Sequence, residues 1–355
     1  MENKKIVSRE KLGAVLSPVL IISMAMIFTS CLLITIGANP AAVFVSLLQG
    51  AFGSLRGIIN TISKSVPICL SAFAVAFAKK VGVFNIGVEG QLIMGALGSA
   101  VAGIYLTGLP MFIHIPLVLL TGMTCGVLYT ILPTFMFVKR QANLLVLFIL
   151  MNNLATLFST FMIVVFIRDP ESMTTASLPI QKSAHLPNLI TQPGKLNISI
   201  LILIIITVAV YILFYKTVYG YELTVCGLNK EAAAYSGIPV KKYVTFGLLV
   251  GGALAGLAGA IEVQGTYYRV YDGFSPGYGF DGIPIALLSN NNPLFMLIGS
   301  ILFAALRVGS NTLQIEHGVP SELINVIQGI LVTLIACEHF WRYLSCKMIL
   351  KKREA

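Results

Sequence analysis

Asn197-Ile-Ser-Ile-Leu-Ile-Leu-Ile-Ile-Ile-Thr-Val-Ala-Val-Tyr-Ile-Leu-Phe-Tyr-Lys216 carries no charge before its last residue. As a helix rising 1.5 Å per residue it spans about 30 Å, the thickness of a bilayer's hydrocarbon core. Similar runs on either side of it give about ten membrane-embedded helices. These fall near 14–37, 58–78, 90–107, 115–138, 143–167, 197–216, 243–264, 279–290, 294–313 and 321–340. The run 279–290 is short for a span and reads as a half-helix or re-entrant piece. Composition agrees, since only 11% of the 355 residues are charged against roughly 25% in soluble domains. The expected fold is an all-α integral membrane protein, a single transmembrane domain over residues 1–355.

The first run follows a basic leader, residues 1–13, holding Lys4, Lys5, Arg9 and Lys11. The apolar core of a signal peptide usually runs ~7–15 residues, so this longer run reads as an uncleaved signal-anchor. The formal net charge of +10 does not point to nucleic acid, because the basic residues cluster at the ends of apolar runs. With the N-terminus inside, cytoplasmic segments take Lys79, Lys80, Lys139, Arg140, Lys216, Lys230, Lys241 and Lys242. They also take the leader and a tail with Arg342, Lys347, Lys351, Lys352 and Arg353. External segments take only Arg56, Arg168, Lys182, Lys195, Arg269 and Arg307, and Lys64 falls within a helix. This bias places both termini in the cytoplasm.

Two connections stand out. Residues 168–196 form a long external loop with Pro170, Pro179, Pro187 and Pro193; it is either a contact surface or a spacer. Residues 217–242 form a cytoplasmic loop whose core, Glu231-Ala-Ala233, favours helix until Gly237 and Pro239 stop it. A short capped helix tied at both ends to membrane spans can transmit a push.

Two further segments interrupt the hydrophobic pattern, one in each half of the chain. Gly82, Gly87 and Gly90 bracket Asn85, Glu89 and Gln91; Gly277, Gly279 and Gly282 surround Asp281, with Pro276 and Pro284 outside. Paired Gly/Pro interruptions point to broken helices in two pseudo-repeated halves, with a site between them. Unwound backbone at membrane depth must line water or be buried in protein. Glu89 and Asp281 either cap helices or line a path, with Asp281 a cap for a helix after Pro284. Glu262 and Gln264 end one apolar helix on its external side, and Asn152 and Asn153 sit within another. They face the interior or a pathway, with a helix-to-helix hydrogen bond as the alternative for the two Asn. Tyr267, Tyr268 and Tyr271, beside the second interruption, are interfacial residues or stacking surfaces.

Gly252-x-x-x-Gly256, Ala255-x-x-x-Gly259 and Gly95-x-x-x-Ser99-x-x-x-Gly103 are spacings that let helices approach closely. The six cysteines form no C-x-x-C pair, the four histidines lack metal-ligand spacing, and no Walker loop or nucleophile grouping occurs. The expectation is a chain with no metal and no catalytic residues.

Three stretches together resemble the permease subunits of bacterial ATP-binding-cassette (ABC) importers, in the simple-sugar and nucleoside branch related to ribose permeases. They are Val83-Phe-Asn-Ile-Gly-Val-Glu-Gly-Gln91, Gly227-Leu-Asn-Lys-Glu-Ala-Ala-Ala-Tyr-Ser-Gly-Ile238 and Gly279-Phe-Asp-Gly-Ile-Pro-Ile-Ala-Leu-Leu-Ser-Asn-Asn-Asn-Pro293. Length and the external loop resemble the larger permease of nucleoside importers. The resemblance implies that Gly227, Asn229, Glu231, Ala232, Ala233 and Gly237 couple to a cytoplasmic ATPase. It makes Asn85, Gly87, Glu89, Gln91 and Asp281 candidates for the translocation path, beside Asn152, Asn153 and Gln264 from the reading above. It further implies ATP and Mg on the partner ATPase, a second similar permease, an external binding protein or lipoprotein, and a bacterial plasma membrane. Nucleosides are the leading cargo and ribose or another sugar the rival. An ion-coupled secondary transporter would suit Glu89 but has no need of the Glu-Ala-Ala loop.

Overall fold

Apolar runs become helices because every backbone N–H and C=O in hydrocarbon must be bonded within its own segment. A computed structural model describes residues 39–317, short stretches between 23 and 35, and residues 326 and 329. The helices are α1 Pro40–Phe52, α2 Leu55–Lys80, α3 Val88–Tyr105, α4 Met111–Arg140, α5 Leu144–Met162 and α6 Ser199–Lys216. After them come α7 Val218–Leu228, α8 Lys230–Tyr235, α9 Val240–Glu262, α10 Tyr278–Leu288 and α11 Pro293–His317. Both α5 and α9 continue into single π turns, Ile163–Ile167 and Val263–Tyr267. Among the described residues, seven helices are long and apolar enough to cross a membrane. The protein is an all-α membrane protein.

The expected runs from 58–78 to 294–313 all appear, with ends shifted by a few residues. The runs 14–37 and 321–340 lie mostly outside the described residues. Among the described residues, two α-helices were not anticipated. One is α1, whose Asn39 side chain caps Ala41 N–H. The other is α7, which turns the first part of the 217–242 connection into helix, capped by Thr217. Pro284 lies inside α10 rather than before a helix, so Asp281 sits in the first turn of α10 and not at the start of a helix after Pro284.

Residues 54–304 form one compact unit, and the described residues before 54 and after 304 another. In the second, Gly50 and Gly309 bring α1 against the end of α11; a Cβ on Gly309 would stand 2.4 Å from Leu47 O. In the first, α2, α3 and α9 are largely buried, while α4, α5 and α6 turn most of their faces outward. The small-residue spacing decides this arrangement at α9. A Cβ on Gly256 would stand 2.3 Å from Gly122 O of α4, and one on Gly259 2.1 Å from Leu92 O of α3. The helices therefore touch backbone to backbone, the fit that drives association where lipid offers no hydrophobic drive.

The two ends of this unit differ. The loop 168–196 lies at one end, with a two-stranded ribbon, β1 Asn188–Ile190 paired antiparallel with β2 Leu196–Asn197. The α7–α8 pair lies at the other end, across the length of α6. The loop is stitched to the segment after α9: Ile180 N–H donates to Tyr268 O at 2.9 Å, and Ser177 N–H to Val270 O at 2.8 Å. Asp272 N–H donates to Thr175 O at 2.9 Å, and Arg269 pairs with Asp169 at 3.2 Å.

Candidate functional site

The chain leaves α2 at Lys80 and stays non-helical until Val88, which puts polar backbone inside the bundle. Its side chains meet that demand. Asn85 Oδ1 accepts from Gly87 N–H at 2.9 Å, and Asn85 Nδ2 donates to Gln91 Oε1 at 3.1 Å. Gly87, at the N-cap of α3, has no side chain to cap it. Asn152 of α5 does so instead: its Oδ1 accepts from Gly90 N–H at 2.9 Å, and its Nδ2 donates to Ile86 O at 3.0 Å. All four polar side chains here, Asn85, Glu89, Gln91 and Asn152, are buried.

Glu89 reaches further. Its Oε2 accepts the N–H of Gly279, in the first turn of α10, at 2.7 Å. The carboxylate thus lies at the positive end of a second helix, a favourable place for negative charge. The two interruptions, 190 residues apart at this bond, meet here. The approach is close enough that a Cβ on Gly279 would stand 2.4 Å from Glu89 N, and one on Gly282 2.6 Å from the Ser71 carbonyl carbon of α2. Asp281, between these glycines, is buried in the same turn.

Asn85, Gly87, Glu89, Gln91, Asn152 and Asp281 therefore form one neighbourhood. Asn153 does not join it; it is exposed on α5 and its amide donates to Ile149 O of its own helix at 3.1 Å. Gln264 lies in the π turn at the loop end, where its Nε2 donates to Ile115 O at 3.3 Å. Its Oε1 is buried without a partner.

We expect Asn152→Leu to leave the Gly90 N–H and the Ile86 carbonyl buried and unbonded, at about 1–3 kcal/mol for each group. The purified protein should melt several degrees lower in a detergent thermal-shift assay. An unchanged midpoint would mean that the backbone finds other partners.

At the opposite end, α8 is short but fully capped. Asn229 Oδ1 accepts from Glu231 N–H at 2.9 Å and Ala232 N–H at 3.0 Å. Beyond Tyr235, Gly237 N–H donates to Ala234 O and Ile238 N–H to Ala233 O, both at 3.0 Å. This is a Schellman closure, and Gly237 supplies its left-handed residue at φ 80°. Ala233 faces inward; Glu231, Ala232 and Tyr235 face out, Tyr235 being 94% exposed. The end of α7 touches the first interruption: Lys80 Nζ donates to Thr224 Oγ1 at 3.3 Å. There is no room for a Cβ on Gly227, which would stand 2.3 Å from Lys80 O and 3.1 Å from Gly82 N.

Lys64 and Glu262 are brought together only by the fold. Lys64 Nζ lies 3.1 Å from Glu262 Oε2 and 3.1 Å from Tyr267 Oη. The two charges are 198 residues apart, and no local spacing joins them.

A family described as the branched-chain amino acid transport system / permease component matches residues 57–336. A guanosine ABC transporter permease protein of Bacillus subtilis is 32% identical over 98% of this chain and 99% of its own. A nucleoside ABC transporter permease protein of Lactococcus lactis subsp. cremoris is 30% identical over 92% of both chains. A glucose ABC transporter permease protein of Haloferax volcanii is 30% identical over 92% of this chain and 88% of its own. With the buried interruptions and the spans that hold them, these similarities establish that the chain belongs to the branched-chain amino acid transport system / permease component family, as a multi-pass permease of ABC transporters.

Proposed function

We propose that this permease carries nucleosides into a bacterial cell by alternating access, driven by ATP that a separate cytoplasmic subunit hydrolyses with Mg. The reading rests first on near full-length similarity to guanosine and nucleoside permeases. The carrying structural observation is the capped, outward-facing helix α8, which is joined through α7 to the interruption at residues 80–91. Lys and Arg bias puts α7, α8 and both termini in the cytoplasm and loop 168–196 outside. On that orientation the ATPase seats on Glu231, Ala232 and Tyr235, with Asn229 and Gly237 holding the helix in shape. A binding protein or lipoprotein delivers cargo at the loop, and a second, similar permease completes the membrane unit. The glucose relative supports a sugar as the competing cargo.

Uptake of labelled inosine, uridine and ribose, with and without this gene, separates the cargoes. A proton uncoupler applied while ATP is preserved tests the energy source. Gene-dependent nucleoside uptake that survives uncoupling is the expected result. Uptake of ribose alone would change the cargo, and loss under the uncoupler would replace ATP by an ion gradient.

Gly237→Trp tests the docking role. A Cβ at this position meets nothing within 4 Å, but a left-handed L-residue costs about 1–2 kcal/mol, and the indole would stand in the docking face. We expect co-purification of the ATPase to be lost while the permease elutes as folded protein. Normal co-purification and uptake would refute the role of α8.

A further inference from the structure

Beyond the meeting of the two interruptions, the pair of Lys64 and Glu262 gathers a cluster of aromatic side chains. On the orientation just proposed, Glu262 lies about 30 Å along α9 from the cytoplasmic Lys242, at the outer edge of the bundle. Lys64 reaches it from α2, with its Nζ 4.6 Å from the ring centre of Tyr267 and 5.4 Å from that of Tyr278. Tyr267 meets Tyr271 edge-on at 5.2 Å between centroids and Phe274 at 5.6 Å; Tyr271 and Phe274 lie 5.8 Å apart. Glu262, Phe274 and Tyr278 are buried, whereas Lys64, Tyr267 and Tyr271 are partly buried, the Lys64 side chain being 22% exposed. The cluster therefore has a closed floor and an accessible wall.

Three arguments give this cluster a binding role. A buried ion pair is commonly replaceable by apolar residues at no loss of stability, so packing does not require it. Charges within membrane spans mark ligand or ion pathways. The backbone is also irregular here: α9 runs into its π turn at Val263–Tyr267, and Tyr268 follows at φ 58°. Such π turns recur at functional sites. A carboxylate accepts from hydroxyls, an ammonium donates to oxygens, and tyrosine faces stack on planar rings, so the wall offers both halves of what a nucleoside presents.

We propose that Lys64, Glu262, Tyr267 and Tyr271 form the permease's own outer contact site for cargo, and that it fits a nucleoside. Tyr267 and Tyr271 take the base, while Glu262, released from Lys64, accepts from the ribose hydroxyls. The proposal rests on the nucleoside reading above.

The test uses the complete transporter in cells and measures initial uptake of uridine, 2′,3′-dideoxyuridine and ribose, per amount of folded permease. Tyr271→Leu should raise the KM for uridine about tenfold, the loss of one stacking contact, and Tyr271→Phe should recover most of it. Glu262→Gln should erode the preference for uridine over dideoxyuridine. The double variant Lys64→Met with Glu262→Leu avoids stranding a buried charge; it should fold normally and lose that preference entirely. An unchanged KM in Tyr271→Leu, or an unchanged preference in the folded double variant, would overturn the site while leaving the nucleoside reading intact. Failure of the unsubstituted transporter to take up uridine would overturn both.

Discussion

Gly259→Leu is expected to cut the amount of folded permease in the membrane about tenfold or more, the largest stability effect of any single change proposed for this chain. The first added carbon would meet Leu92 O at 2.1 Å and Ala96 N at 2.7 Å. These are backbone atoms of α3, so no rotamer change relieves the clash; α3 and α9 must separate. Separation would also disturb the neighbouring contact of Gly256 with α4. In lipid no hydrophobic gain draws the helices back together. Fluorescence-detected size-exclusion chromatography of tagged protein reads the result directly. Phe246→Leu, on an exposed face of the same helix, is the control and should elute as the unsubstituted protein does. A full-sized folded peak from Gly259→Leu would show that the α3–α9 contact yields.

The second large effect falls on transport. Glu89→Leu should lower uptake per folded molecule by about tenfold or more, because a hydrogen bond to a charged group contributes about 1.5–3 kcal/mol. The leucine removes the acceptor for Gly279 N–H and the negative charge at the start of α10. Glu89→Gln keeps an oxygen that can accept but loses the charge, so its uptake should fall between the two. Uptake of labelled inosine, normalised to folded protein, distinguishes these cases. Equal uptake in all three forms would mean that α10 holds its position without the carboxylate.

Much of this arrangement was legible because glycine and proline stand out against an apolar background. The interruptions at 82–91 and 276–284 were visible that way, as were the close faces of α9 and the stop of α8 at Gly237. The missed helices failed for opposite reasons. Pro40–Phe52 is apolar but too short to span a membrane, and it follows another apolar run. Val218–Leu228 carries Tyr219, Glu222, Thr224 and two glycines, so it looks like a loop. Its helix is held by the Thr217 cap and by the burial of Leu223 and Cys226. The sequence could offer capping for Glu89, but not the helix to be capped, since its partner lies in the other half of the chain. Lys64 and Glu262 were hidden for the same reason. The π turns of α5 and α9 have no local sequence signature at all.

On the proposed coupling, the meeting of Gly227 with Lys80 and Gly82 is a joint without backlash. A side chain between two moving parts is a spring: it can swing to another rotamer and absorb a displacement of an ångström or so. Here main chain lies against main chain, and that slack is missing. Movement of α7 towards the interruption has to displace residues 80–82, and behind them the bonds of Asn85, Gly87 and Gln91. A stroke too small to be felt through a leucine would still arrive.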